Sequence, residues 1–444
     1  MKLSVYVNGR DVAVLEPVGD FKSVLSYHAH VPEESLISLT MPVRTESYVW
    51  DDPLHPIFQM NLPEGYLLQV LQERFGPHIG ANPTALLAII GRHMVGRVQV
   101  AAPESVLSLP VQPIDVATIL QGDNSEQAFS ALVRQYADSG ISGVIPKFLD
   151  AQLVDLPVGL TAHNKASFIT RQHIIKGSAS HLPYVALNEH FCMQVAARVL
   201  PTARTEISQD GMALVVHRFD LDEQGHMYWA MEDFCALLGM RPAAKYETTW
   251  ERIAKAVRDH VHGSQRQEVF RQLAAQLLLT YALRNADCHA KNLALLYTSR
   301  QDVHLSPVYD MLTTAVYEGY QHNPLAISFM GKKTWLPSKN LQRFLVACFG
   351  VSVQEQLMLI AQISDAVADV AVQVKQAMDT YPDFRETGKR MLMAWSEGVN
   401  GLRSSKVYAV GEWSAGQELT GFSAPVKRDT PKVVIGRSEG IGRR

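Results

Sequence analysis

The chain has 444 residues, 47% of them hydrophobic and 19% charged, with a formal net charge of −3. This is a globular composition, long enough for two or three subdomains around a sizeable core; it excludes a disordered or low-complexity chain, and the near balance of charge decides nothing about a nucleic-acid partner. The four cysteines, Cys192, Cys235, Cys288 and Cys348, are scattered without a C-x-x-C or metal-site spacing, so they read as reduced thiols of a cytoplasmic protein. Met1 to Val7 lacks a signal-peptide core, and no apolar run is expected to span a membrane, since Gln272 and Gln276 interrupt the most apolar helix.

Residues 1–105 read as a β-rich unit. Leu3 to Val7 alternates, Asn8-Gly9 marks a hairpin turn, and Val12 to Leu15 resumes the alternation. Helices are predicted from Glu64 to Phe75 and from Pro83 to Ile90, with a closing strand from Gly96 to Val100. No catalytic geometry is expected in this unit. A linker rich in Pro and Ser, Ala102 to Pro113, leads to a second unit, residues 106–222, with a helix from Ser125 to Tyr136.

Then comes Ser139-Gly140-Ile141-Ser142-Gly143 ahead of a strand-like run. Two close glycines suit a loop whose backbone N–H groups approach phosphate, with Ser142 and Gly143 inside it; a plain hairpin turn would use the same glycines. His173 to Lys176 is a strand ending in lysine, and the helix that follows, Val185 to Val199, carries Glu189. Kinases hold a strand lysine on the ATP phosphates through a glutamate of the next helix, so Lys176 and Glu189 fit by order and spacing. Ala213 to Asp220 is a strand leaving toward a charged turn, where a hinge between lobes belongs.

From residue 223 to 404 the periodicity is mainly helical, with segments Phe234–Leu238, Trp250–Val261, Val353–Met378 and Met391–Leu402. A buried-face helix runs from Gln267 to Arg284 and ends at Asn285-Ala286-Asp287-Cys288-His289-Ala290-Lys291-Asn292. The runs Leu293–Tyr297 and Val303–Val308 read as a hairpin that brings Asn292 and Asp310 together at its open end. An amide oxygen and a carboxylate so placed can share Mg²⁺, while Asp287, five residues before the Asn, takes the position of a base and Lys291 adds positive charge near the moving phosphoryl group. Cys288 is read as a space-filler. Residues 405–444, with Lys427, Arg428, Lys432, Arg437, Arg443 and Arg444, form a basic tail without periodicity.

With these pieces in order the chain resembles the HipA family of bacterial serine/threonine kinase toxins. The likeness is carried by ISGVIPK (141–147), HIIK (173–176), LNEHFC (187–192), VVHRFD (215–220), MEDFC (231–235), NADCHAKN (285–292) and SPVYDM (306–311), with NLPEG (61–65) and GRHMVG (91–96) in the first unit. It implies an α+β, protein-kinase-like two-lobed fold with a mixed amino-terminal lobe and a mainly helical carboxy-terminal lobe. It also implies ATP and Mg²⁺, with Asp287 as base, Asn292 and Asp310 as metal ligands, and Lys176 on the phosphates. His217 and Phe219 would give backbone hinge contacts to adenine, and the segment through Asp220 is assigned to the nucleotide site. Gly140 stands where the loop serine lies in members that silence themselves by autophosphorylation; Ser142 matches a second serine position seen in some members and is the autophosphorylation candidate here. The implied partners are a small helix-turn-helix antitoxin, operator DNA through that antitoxin, and an aminoacyl-tRNA synthetase as substrate, glutamyl-tRNA synthetase first, leading to growth arrest and persistence. A small-molecule or lipid kinase, and a catalytically silent scaffold bridging antitoxins on DNA, are the alternatives.

Overall fold

The structure, a computed structural model, describes residues 2–19, 21–79, 82–103, 105, 107, 115–141, 167–335, 337, 339–410, 413, 415–416 and 419. Leu3–Val7 (β1) and Arg10–Pro17 (β2) form the hairpin that Asn8-Gly9 signals. Both turn residues have positive φ, 49° and 75°, which suits the twist of the flanking strands. Ser23–Tyr27 (β3), Tyr48–Trp50 (β4), and, after Pro56–Gln59 (α1), Gly65–Ile79 (α2) and Pro83–Ile90 (α3), the strand Val98–Ala101 (β5) complete an antiparallel sheet of order β4-β3-β2-β1-β5. The α3 start follows from its sequence: Asn82 caps the Thr84 N–H and Pro83 opens the first turn. β5 begins later than expected because Gly96 has a φ of +91° and passes so near Met231 that a Cβ would lie 3.1 Å from its backbone nitrogen.

The second unit contains Val116–Gln121 (α4) and Glu126–Ile141 (α5), then Ser167–Ile169 (β6), His173–Gly177 (β7), Val185–Ala196 (α6), Thr205–Ile207 (β8) and Ala213–His217 (β9). The four strands form one sheet of order β6-β7-β9-β8. α5 packs on it through Phe129 against Phe168, ring centroids 5.9 Å apart. Gly177 makes room for that ring, since a Cβ there would meet it at 2.5 Å. α5 is longer than expected: Ser139, Gly140 and Ile141 are its last residues rather than part of a loop. Ser142 and Gly143, the candidate phosphate-loop residues, lie outside the described residues, as does the basic stretch from Lys427 onward.

The third unit is helical around a small antiparallel sheet. Ala230–Asp233 (β10) leads through Phe234–Leu237 (α7), Trp250–His260 (α8) and Gly263–Ala282 (α9) to the hairpin Ala294–Tyr297 (β11) and Val303–Leu305 (β12), in sheet order β10-β11-β12. Lys339–Phe349 (α10), Val353–Thr380 (α11) and Arg385–Arg403 (α12) follow. α9 is the centre of the core, with Leu273, Ala274, Leu277 and Leu278 fully buried. Each such leucine contributes roughly 1.5–3 kcal/mol relative to exposure. One expectation is corrected: α11, 28 residues with a mean hydropathy of 1.5 in its most apolar stretch, is long and apolar enough by length and composition to cross a membrane. Its apolar stripe, including Ile363, Val367, Val370 and Val374, is packed inside this core.

Polar contacts, several of them buried, fix the first unit to the other two. Asp220, fully buried, accepts the Gly96 N–H at 2.7 Å and holds the Arg218 guanidinium through both oxygens. Glu232 accepts from Ser38 Oγ at 2.7 Å and the Leu39 N–H at 3.0 Å. Arg97 donates to the Thr298 carbonyl at 2.9 Å, and Arg241 pairs with Asp52.

Candidate active site

β7 delivers Lys176 to the cleft, and α6 delivers Glu189 to meet it. Lys176 Nζ lies 2.5 Å from Glu189 Oε1 and 2.7 Å from Asp310 Oδ1, so one ammonium joins two carboxylates from three elements. Glu189 is almost fully buried, on the same helix that buries Leu187, Phe191 and Val195 in the core. Beside it, Asn188 donates to the Thr313 carbonyl at 2.9 Å and accepts the Thr313 N–H at 2.9 Å. This two-way bond, invisible in the sequence, ties the glutamate helix to the segment that begins at Asp310. Asp310 itself has a φ of +56°, an uncommon conformation for an aspartate, and such strain gathers at functional sites.

The loop after α9 is fixed just as closely. Asn285 Oδ1 accepts the Asp287 N–H at 2.9 Å, and the Ala286 N–H donates to Thr314 Oγ1 at 2.8 Å. Asn292 Nδ2 donates to the Asp287 carbonyl at 2.8 Å. That bond fixes which end of the amide is nitrogen and leaves Oδ1 for a cation. The expected hairpin register needs adjustment. β11 and β12 pair Leu295 with Leu305 and Tyr297 with Val303, so the same register extended would set Val308 across from Asn292. The chain leaves the hairpin there, Val308 bridging to Thr202, and Asp310 is carried onward to Lys176. The negative charges of Asp287 and Asp310 both raise the Tyr246 phenol and the Cys288 thiol, so both carboxylates act on the loop between Asp287 and His289.

Three features of the loop were absent from the sequence reading. The Tyr246 hydroxyl donates to Asp287 Oδ1 at 2.5 Å, and burial together with the Asp287 charge holds that phenol well above its ordinary value. His289 packs edge-on against Tyr246, with Nε2 3.8 Å from Asp287 Oδ1 and a buried Nδ1 that has no hydrogen-bond partner among the described residues. Burial pushes its imidazole down to about 4, so it is neutral at pH 7. The third is Glu64. It pairs with Lys291 and stands 3.6 Å from Lys245, so the first unit, expected to lack catalytic geometry, touches the catalytic loop. Lys291 is therefore already neutralised by Glu64, and its carbonyl accepts the Tyr309 hydroxyl at 2.7 Å.

The remaining candidates divide. The His217 N–H donates to the Arg204 carbonyl within the sheet, and its imidazole turns away to Glu206 at 2.6 Å. Phe219 stacks on Tyr309, ring centroids 5.6 Å apart, between the hinge and the Asp310 segment. Asp220 is not offered to the cleft: its carboxylate is spent on Gly96 and Arg218, so it is a joint between units. The Cys288 thiol is fully buried and pushed up to about 12, which suits a space-filler. Among the described residues no group of three His, Cys, Asp or Glu side chains forms a metal site. A Mg²⁺ held mainly by phosphates and one or two side chains would need none.

The chain is also similar to known proteins along most of its length. At 29% identity over 304 residues the chain matches "Putative kinase Y4mE" of Sinorhizobium fredii, covering 63% of this chain and 69% of that protein. "Putative kinase Y4dM" of the same organism is 25% identical over 340 residues, 71% of this chain and 78% of that one. Among solved structures, HipA of Shewanella oneidensis MR-1, determined with HipB and operator DNA, has a TM-score of 0.65 at 17% identity. The match covers 95% of this chain and all of that one, and it gives the fold. The HipA N-terminal domain matches residues 3–101 and the HipA-like C-terminal domain residues 139–379, more than half the chain, so this protein belongs to the HipA family.

Proposed function

We propose that the protein is an ATP-dependent serine/threonine protein kinase that acts as the toxin of a HipBA-like toxin–antitoxin pair. The observation that carries this reading is the junction of Lys176 with Glu189 and Asp310, together with the loop in which Asn292 is bonded to Asp287. Lys176 would hold the α/β-phosphates while Glu189 fixes the lysine from behind. His217 would offer its carbonyl, and Phe219 its N–H, to adenine. Asn292 and Asp310 fit Mg²⁺, because the amide oxygen and the carboxylate are both oxygen ligands and the amide's orientation is already set. Bound there, Mg²⁺ would neutralise phosphate charge. Asp287 would accept the proton of the acceptor hydroxyl as the γ-phosphoryl group passes to it. Lys291, neutralised by Glu64, serves the loop more than the phosphoryl group in this reading.

The relatives' names support the kinase, and the complex formed by the Shewanella HipA supports the partners. By extension a small helix-turn-helix antitoxin would restrain this chain and bring it to operator DNA in the cytoplasm. The substrate would be an aminoacyl-tRNA synthetase, glutamyl-tRNA synthetase first, and its phosphorylation would arrest growth. Ser142 is the candidate for autophosphorylation.

Purified protein with γ-labelled ATP, Mg²⁺ and cell extract tests the reading. Label on serine or threonine of one polypeptide, lost with Asp287→Asn, is the expected result. Label in small molecules or lipid would move the acceptor to those classes, and ATP binding without transfer would favour the scaffold.

A further inference from the structure

The proposed reaction needs an acceptor hydroxyl on Asp287, and a hydroxyl is already there. The Tyr246 phenol donates to Asp287 Oδ1 at 2.5 Å, within the short range of charge-assisted bonds. Its ring packs edge-on against His289 of the same loop, centroids 4.9 Å apart, which holds the phenol over the base. Its backbone is pinned. The Lys245 carbonyl accepts the Ala290 N–H at 3.2 Å, the Glu247 N–H donates to the Ala244 carbonyl at 2.8 Å, and Lys333 Nζ reaches the Tyr246 carbonyl at 3.4 Å. The residue is not enclosed, being 41% exposed. Rotation about its own bonds can lift the phenol off Asp287, a fast motion for an exposed side chain.

We infer that Tyr246 is a stand-in for the acceptor, occupying the station on Asp287 that the substrate hydroxyl must take and barring water from the base until a protein substrate displaces it. The inference rests on the kinase reading above. Water is a competing acceptor in vast excess. Its attack would break the bond between the γ-phosphorus and the oxygen of the departing ADP, join the phosphoryl group to the water oxygen and pass the water proton to Asp287. The products would be ADP and inorganic phosphate, and no protein would be modified. A seated phenol occupies Oδ1, one of the two carboxylate oxygens that could take that proton, and its ring stands in the way of water there. A docked polypeptide can displace the exposed ring with many contacts, whereas one water molecule cannot.

The test uses the full-length protein with Mg·ATP and no protein acceptor, following ADP release, ATP affinity by calorimetry and melting temperature. Tyr246→Phe keeps the ring and removes the hydroxyl. It should hydrolyse ATP about tenfold faster or more, the effect of one hydrogen bond to a charged group, at unchanged affinity and melting temperature. Tyr246→Leu should act in the same direction, and adding Asp287→Asn should erase the gain. If the Phe variant hydrolyses ATP at the wild-type rate or slower, with affinity and melting intact, Tyr246 only orients Asp287 and the inference is overturned. Phosphate found on Tyr246 of the wild-type protein by mass spectrometry overturns it too, because the phenol is then an acceptor. No ATP binding by any of the proteins would instead overturn the kinase reading, and the inference with it.

Discussion

Lys176 and Asp310 are joined by a 2.7 Å ion pair across 134 residues of chain, and the same ammonium is 2.5 Å from Glu189. Removing the lysine would take from two largely buried carboxylates the ammonium that they share. Lys176→Ala should therefore cost about 3 kcal/mol in chemical denaturation, the usual scale for breaking a buried pair from one side. It should also abolish ATP binding measured by calorimetry with Mg²⁺. Glu189→Gln keeps a hydrogen-bonding group against the lysine and should weaken ATP less. Equal ATP affinity in all three proteins would contradict the assignment.

Asp287 and Asp310 differ from Lys176 in what their loss does to the fold. Asp287→Asn keeps an oxygen for the Tyr246 hydroxyl, and Asp310→Asn leaves Lys176 with Glu189. Both should melt close to the wild-type temperature, while phosphoryl transfer falls by about a hundredfold or more, as expected for loss of a base or of an electrostatic group at the reacting centre. A variant transferring phosphate at near wild-type rate would remove that residue from the mechanism.

The five side chains proposed for the centre of the candidate site could be picked out because each sits in a local pattern: a lysine ending a strand, a glutamate on the next helix, Asp and Asn five apart, and Asp310 after a hairpin. Their order along the chain did the rest. Tyr246, Glu64 and Asn188 carried no such pattern, since their partners lie 41, 227 and 125 residues away. Only the packing of units brings those groups together. The strands β4, β6 and β8 escaped because three residues give too little alternation. α10 had a readable signal, with Leu341, Phe344 and Leu345 on one buried face. The hairpin misled by symmetry, because the chain departs toward Thr202 before reaching Asp310.

Glu64 and Lys291 connect the first unit to the catalytic loop, and their coupling is measurable. Glu64 is 43% exposed at the side chain, so solvent screens the pair and its worth is small. A double-mutant cycle of Glu64→Ala and Lys291→Ala should give a coupling of about 1 kcal/mol or less, shrinking further in high salt. Strict additivity at low salt would show that the two side chains do not act on each other in solution.

Glu232 predicts a pH dependence of the joint between the first and third units. Its carboxyl is fully buried, and burial pushes it up to about 7 from an ordinary 4.5, with the Asp233 charge adding to the rise, although Ser38, Leu39 and Tyr297 donate to it. Between pH 4.5 and about 7 the folded protein retains a proton there that the unfolded chain has lost. Stability from this group is therefore present at low pH and declines as pH rises through that window, by about 3 kcal/mol in all. His55, His190 and His289 act in the opposite sense. Burial lowers each to about 4, so the unfolded chain takes up protons first and their contribution is lost as pH falls from 6.5 toward 4. Comparison with Glu232→Gln cancels the histidines. The variant should lose an acceptor and start less stable than wild type at pH 5, then gain on it steadily to pH 8 in urea denaturation. Ser38→Ala removes a donor to the carboxylate, raises the Glu232 pKa further and should steepen the decline. A gap between wild type and Glu232→Gln that stays flat from pH 5 to 8 would mean that Glu232 is ionised throughout in the folded protein.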